Sequence, residues 1–410
     1  MNQCDLDPLI PYDEALSQLV DKVSALQKSV RKPLLQAFGD VVAESQCAAI
    51  NVPSNDNSAM DGYALNTSDL AASGESKLAV SQRIAAGEAA QPLKAGTAAR
   101  IFTGAPVPVG ANAVIMQERV RLQDELIVFD YQPANGENIR PAGNDIREGD
   151  TILDKGSRLR AQDIGLAASV GLESLLVFEK LRVGIFLTGD ELVEPGRVLA
   201  PGQIYDSNRY TLHGLLQALG CEIVDLGLVG DTLEETKSAM LKAAGQADLV
   251  VTCGGVSVGE EDHVRVAIEQ LGDLHLWRLA IKPGKPLAFG QIEQTPFIGL
   301  PGNPVSVFVT FCLFVCPLIK TLQGRTWRKP LPVQVPAGFD WPSPDSRREF
   351  LRARLERNQQ QQTVVTIYPN QDSGVLSSTV WADGLVEIAE GQTLRAGETV
   401  DYIPFAQWLI

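Results

Sequence analysis

The chain has 410 residues, of which 45% are hydrophobic and 21% charged, and its formal net charge is -15. That length exceeds one ordinary core and predicts about two to four domains, and the balance of apolar and charged residues excludes a largely disordered chain. The acidic excess argues against nonspecific nucleic-acid or membrane-surface binding, both of which reward clustered Lys and Arg, so an anionic ligand requires locally concentrated cations.

The first fifteen residues, MNQCDLDPLIPYDEA, show neither the basic nor the apolar region of a signal peptide. The most apolar run, 305–316 between Pro304 and Pro317, falls short of the ~20 residues that cross a bilayer. The expectation is a soluble cytoplasmic protein, with no membrane and no nucleic acid among its partners. Cys4, Cys47, Cys221, Cys253, Cys312 and Cys316 include no CxxC pair, which predicts free thiols in a reducing compartment. His213, His263 and His275 form no zinc-ligand spacing.

From the amino terminus, apolar residues at helical spacing (Ala15, Leu16, Leu19, Val20, Val23) predict an opening amphipathic helix over 11–30. Between about 50 and 132, Gly, Pro and Ala punctuate short β-prone runs such as 113–116 and 126–129, the texture of a small β-rich module. Helical texture returns at 161–170. The expected organisation is a discontinuous α/β N-terminal unit, 1–50 with 140–178, into which the β-rich domain 51–139 is inserted.

From Arg182 the pattern alternates: a strand RVGIFL, a helix at 209–219, a strand EIVDLGLV, a helix at 233–244 and a strand DLVV. This predicts a three-layer α/β domain over 179–326 on a mainly parallel sheet. Thr232 with Glu235 three residues later reads as a capping box that starts the second helix. After 327 short strands separated by Gly, Pro and Asn predict a small C-terminal β domain, with Gln359, Gln360, Gln361 and Gln362 as a hairpin tip.

Ligands of such sheets bind outside the carboxyl ends of the strands, and TGDE, GLVGD and TCGGVSVGEEDH all fall there. In the last of these, Gly254, Gly255 and Gly259 permit close backbone approach and Ser257 offers a hydroxyl. Glu260, Glu261 and Asp262 are hard oxygen donors suited to Mg²⁺ with phosphate, or a solvated acidic start to the next helix. LAIKPGKP places Lys282 and Lys285 on a proline-bracketed loop suited to an anion. GLPGNP sets Pro301, Gly302, Asn303 and Pro304 at a helix start where amides seat an oxyanion. NSAMDGYAL surrounds Asp61 with small and apolar residues, IFTGAPVP offers Thr103 on a glycine turn, and NIRPAGNDIREGD presents Arg140, Asp145 and Arg147. Each of these last three also fits ordinary turn chemistry.

The ordered set NSAMDGYA, TGAPVP, GNDI, LTGDEL, GQIYDSN, GGVSVGEEDH, AIKPGKP and GLPGNP, spanning nearly the whole chain, resembles the MoeA-type molybdopterin molybdenumtransferases, relatives of the gephyrin E domain. The resemblance implies a multidomain α/β protein with a molybdopterin-binding α/β domain and a C-terminal small β-barrel. It further implies a homodimer whose cleft joins the α/β domain of one chain to the N-terminal domains of the other. The implied reaction inserts molybdate into adenylylated molybdopterin with release of AMP, assisted by Mg²⁺. It places Asp61, Thr103, Arg140, Asp145, Glu191, Asp231, Asp262, Lys282, Pro301, Pro304 and Ser373 in the site, with Glu191, Asp231 and Asp262 as metal or adenylyl-site candidates. Lys282, Lys285 and Arg140 are expected to attract molybdate or the pterin phosphate. Implied partners include a molybdopterin adenylyltransferase and molybdoenzyme-maturation proteins. Two departures stand out: Arg278 where the family has a lysine, and a loose QDSGVLSS motif in which Ser373 and Ser377 compete. The alternatives are an adenylyltransferase acting with ATP, which the extra N-terminal residues disfavour, and a non-enzymatic dimeric scaffold, which has no need of the whole set of acids and lysine.

Overall fold

The computed structural model describes residues 9–26, 28–255 and 263–409. At its centre a six-stranded sheet runs in the order Glu222–Val229, Arg182–Thr188, Leu249–Cys253, Thr295–Leu300, Pro286–Ile292, Gly272–Arg278. The first four strands are mutually parallel; Pro286–Ile292 pairs antiparallel with both of its neighbours, so it alone runs against the sheet and Gly272–Arg278 runs with the first four. The sheet is mainly parallel, as the alternating pattern predicts. Helices Leu233–Gln246 and His263–Leu271 cover one face through Met240, Ala243, Val264 and Ile268. The other face carries Asn208–Ala218 and a long helix, giving three layers. The Thr232 hydroxyl accepts from Glu235 N at 3.3 Å and donates to the Glu235 carboxylate at 2.8 Å, so Thr232 caps the helix as predicted, but the reciprocal half of the capping box is absent because Thr232 N donates to Gly230 O.

The long helix differs from expectation. It continues from Pro304 through Pro317 to Leu322, 19 residues, and on length and composition is apolar enough to cross a membrane. Yet 89% of its most apolar window is buried in this protein, where it forms the centre of the largest core cluster. Pro317 has no N–H and crowds the carbonyl four residues earlier; a single wide π turn at Phe311–Val315 lies just ahead of it.

The opening helix is shorter than its apolar spacing predicts, Tyr12–Asp21, because Ser29–Pro33 pairs as a strand with Ser174–Phe178. Val23 and Leu26 pack on the same core from extended chain. This helix joins the core of the central sheet, not the pair formed by Ser29–Pro33, and thus departs from the expected 1–50 unit. The helix Ala161–Ser169 packs in a separate small core with Leu34, Val42 and Leu175.

The inserted region forms a six-stranded sheet that includes Ala113–Met116 and Leu126–Phe129 at the predicted bounds. The C-terminal sheet closes on itself as a small barrel, since Gly338 N donates to Val365 O at 2.8 Å while Thr363–Ile367 also pairs with Arg348–Arg357. The glutamine run is the tip of that last hairpin, with Gln361 at φ 61°. Cys47, Cys221, Cys253, Cys312 and Cys316 are free thiols.

Candidate active site

The carboxyl ends of the parallel strands open into a cavity of about 820 Å³, within the range of ligand sites. Its walls come from two units. The α/β unit supplies Glu191 after the first strand, residues 204–208, Gly254 after the third strand, and loops 282–286 and 301–304; the barrel supplies Arg347 and residues 371–374.

Local chemistry fixes each wall. Gly189, at φ 144°, leaves open the space over which the Glu191 carboxylate lies, since a Cβ there would stand 2.7 Å from Glu191 Oε2. Gly254 adopts φ 85° and donates to Leu300 O at 3.0 Å, turning the chain away from the sheet. Asn208 Nδ2 donates to Gly302 O at 2.8 Å, and Asn303 Nδ2 to Ser373 Oγ at 3.0 Å. Val305 N, in the first turn of the long helix, donates to Ser373 O at 3.0 Å. The barrel loop is thereby tied to the helix start. Behind it Arg352, fully buried, donates from Nε to Ser378 Oγ and from Nη2 to Asp372 O; burial pushes its guanidinium down to about 10.

Lys282 does not sit on a free loop. Ile281–Lys282 pairs in parallel with Arg348 and Glu349 of the barrel. Its ammonium lies 2.9 Å from Glu349 and 3.3 Å from Asp345, and the Glu349 hydrogen bond is the main reason its pKa is raised. Arg347 binds Asp345 as well, holding that carboxyl well below the ordinary range. Asp206 is 1% exposed on the cavity wall, and burial raises its carboxyl. Its Oδ1 accepts Arg209 N at 3.1 Å while Oδ2 has no partner among the described residues.

Of the residues singled out in the sequence, the cavity gathers Glu191, Gly254, Lys282, Lys285, Pro301, Gly302, Asn303, Pro304 and Ser373. Ser377, which competed with Ser373, is not among the lining residues; it begins the short helix Ser377–Trp381. Asp61 and Thr103 meet elsewhere, in the inserted module: Thr103 N and Oγ1 both donate to Asp61 Oδ1 at 2.8 Å, which lowers the Asp61 pKa. Arg140 lies in a two-residue strand against Asn57–Ser58, and Asp145 N donates to Val52 O. None of these four lines the cavity of its own chain. Asp231 precedes the Thr232 cap, and Gly255 follows Gly254 at φ 62°; neither lines the cavity, nor does Arg278. Ser257, Gly259, Glu260, Glu261 and Asp262 lie outside the described residues. Among the described residues no three His, Cys, Asp or Glu side chains cluster as a metal site.

Sequence reasoning missed Arg347, Asp206 and Asn208. The last two stand in the quoted GQIYDSN, where polar residues at the start of a helix were the available signal. Arg347 carries none, because only the pairing of Ile281–Lys282 with a strand some 65 positions later brings it to the cavity.

A three-layer α/β unit whose strand-end cavity is completed by a small barrel, with a β-rich insertion upstream, defines a multidomain α/β protein. Residues 10–171 match the model of the MoeA N-terminal region (domain I and II), 184–321 that of a probable molybdopterin binding domain, and 334–405 that of the MoeA C-terminal region (domain IV). The molybdopterin molybdenumtransferase of Haemophilus influenzae is 42% identical over 403 residues, covering 97% of this chain and 99% of that one. Molybdopterin molybdenumtransferase 2 of Mycobacterium tuberculosis is 35% identical over 375 residues, covering 88% and 91%. The crystal structure of the molybdopterin biosynthesis MoeA protein from Pyrococcus horikoshii OT3 superposes with a TM-score of 0.83 at 31% identity, covering 97% and 100%. The chain belongs to the MoeA family.

Proposed function

We propose that this chain is a molybdopterin molybdenumtransferase of molybdenum cofactor biosynthesis, which inserts molybdate into adenylylated molybdopterin and releases AMP. The observation that carries this reading is the cavity itself, where one wall offers the Glu191 carboxylate and another offers Lys285 and Arg347. A substrate with phosphate at one end and a reacting oxyanion beside it needs cations for the anions and an oxygen donor at the bond that breaks. Lys285 and Arg347 would hold anionic oxygens, Arg347 by its planar fork and Lys285 as a mobile point charge. The loop 301–304 would seat a further oxygen at the start of the long helix.

Mg²⁺ fits the donor chemistry here. The Glu191 carboxylate is a hard ligand held over the open space at Gly189; the other two carboxylates that the family resemblance implies, Asp231 and Asp262, are respectively outside the cavity lining and outside the described residues. Bound there, the ion would neutralise charge on phosphoryl oxygens. The separation of Asp61, Thr103, Arg140 and Asp145 from the cavity of their own chain supports a homodimer in which a second copy supplies them.

Purified protein given adenylylated molybdopterin, molybdate and Mg²⁺ should release AMP and incorporate molybdenum, and Glu191→Gln should slow AMP release by roughly 100-fold or more, the scale of losing one electrostatic contact in a transition state. Wild-type protein that releases no AMP, or a variant as fast as wild type, would sink the reading. Consumption of ATP with free molybdopterin would point instead to an adenylyltransferase.

A further inference from the structure

Among the described residues three cations line the cavity, and two of them are already engaged by carboxylates. Lys282 contacts Glu349 and Asp345, and Asp345 also grips Arg347 through a two-pronged contact, Oδ1 to Nε at 3.1 Å and Oδ2 to Nη2 at 3.0 Å. Lys285 is the one lining cation, among the described residues, with no carboxylate contact. The two acids are unequal. The Glu349 side chain is 2% exposed, accepts Trp341 Nε1 at 2.7 Å, and meets Lys282 across a strand pairing, so it belongs to the framework. The Asp345 side chain is 20% exposed, precedes the strand, and among the described residues its side-chain partners outside Arg347 reduce to Lys282. It occupies the Nε–Nη2 edge of Arg347, an edge that an oxyanion would take for bidentate binding.

We propose that Asp345 is a specificity-determining carboxylate that competes with oxyanions for Lys282 and Arg347, so that a free inorganic dianion is held weakly and a ligand that also contacts the rest of the cavity is held tightly. The inference rests on the reading that the cavity takes anions. By Coulomb's law a neighbouring negative charge opposes a dianion twice as strongly as a monoanion. Asp345 therefore discriminates by charge as well as weakening binding.

The test is titration calorimetry at low ionic strength on the full chain, with molybdate, sulfate and nitrate as probes. Asp345→Asn and Asp345→Ala should tighten molybdate and sulfate by about tenfold and nitrate by only about threefold, the scale expected of one partly screened charge. Asp345→Glu, which keeps the charge, should stay near wild type. Unchanged or weaker dianion binding in both neutral variants would overturn the proposal and make Asp345 a residue that orients Arg347. Should neither neutral variant fold, the unsubstituted protein still decides: saturating molybdate should move the Arg347 Nε–H resonance as its contact with Asp345 is exchanged, and an unmoved signal overturns the proposal. AMP release is measured separately, so failure of the transferase reading leaves this comparison of inorganic anions standing.

Discussion

Lys320 is 7% exposed near the end of the long apolar helix, where its Nζ donates to Gln407 O at 3.4 Å. Burial, with Arg325 adding like charge, pushes its pKa down from 10.5 to about 8. Below about pH 8 the lysine is charged in native and unfolded chains alike, so the cost of burying the charge is fully present. Between about 8 and 10.5 the native state gives up its proton first, the unfolded state binds more protons, and stability from this residue rises with pH. Lys320→Met should therefore be more stable than wild type at pH 7, by roughly 2 kcal/mol, and the advantage should shrink as pH rises to 10.5. Urea denaturation of both proteins across that interval isolates the lysine, because every other group titrates in both. An advantage that does not change with pH would exclude this account. The same scale shows why some site residues were legible and others were not. Glu191 and Gly254 stand in loops directly after strands, where position alone marks them, whereas Asp345 and Arg347 follow a proline-rich stretch with no pattern of their own.

Among the elements, strands were read most closely where β-branched runs are bounded by turn residues: Ala113–Met116, Leu126–Phe129 and Glu222–Val229 begin and end where the sequence places them. Ile281–Lys282 looks like loop in the sequence because its partners, Arg348 and Glu349, are distant, and a two-residue strand has no period of its own. That element is held by Gly284, which adopts φ 106° and lies so close to the long helix that a Cβ would stand 2.4 Å from Thr310 Cγ2. An L side chain there meets both backbone strain and a buried methyl group. Gly284→Ala should lower stability by roughly 2 kcal/mol or more, and it should weaken anion binding by displacing Lys282 and Lys285 together. Calorimetric unfolding and molybdate titration on the same sample check both, and a variant with unchanged melting temperature and affinity would show that the loop relaxes freely.

Across the whole molecule the number and type of units follow from composition and alternation, but the way they are joined does not. The Tyr12–Asp21 helix is the first element among the described residues, yet its inner face joins the core built on the long helix, to which Phe350, Leu385 and Ile403 of the barrel also belong. Its apolar spacing announced a buried face without saying against what. Tyr12 is the joint: its ring meets Phe314 of the long helix edge-on at 5.6 Å and Phe350 of the barrel at 5.5 Å. Outside it, Arg348 of the barrel contacts Asp13 at 2.8 Å and Lys329 of the connecting segment also reaches Asp13. The barrel carries Arg347 and residues 371–374 of the cavity, so what fixes the barrel against the α/β unit also fixes the width of the site. Tyr12→Ala removes a 2% exposed ring, and truncations of buried aromatic rings cost roughly 3–5 kcal/mol. Because the ring bridges two units, the loss should also uncouple them: the variant should unfold with the barrel melting ahead of the central sheet, whereas the shared core predicts that these two units melt together in the wild type. Differential scanning calorimetry with Trp341 and Trp381 fluorescence as reporters from the barrel distinguishes the cases. Coincident heat and fluorescence transitions in the variant would mean that the remaining shared core, centred on Phe314, Phe350 and Trp408, is sufficient to couple the units.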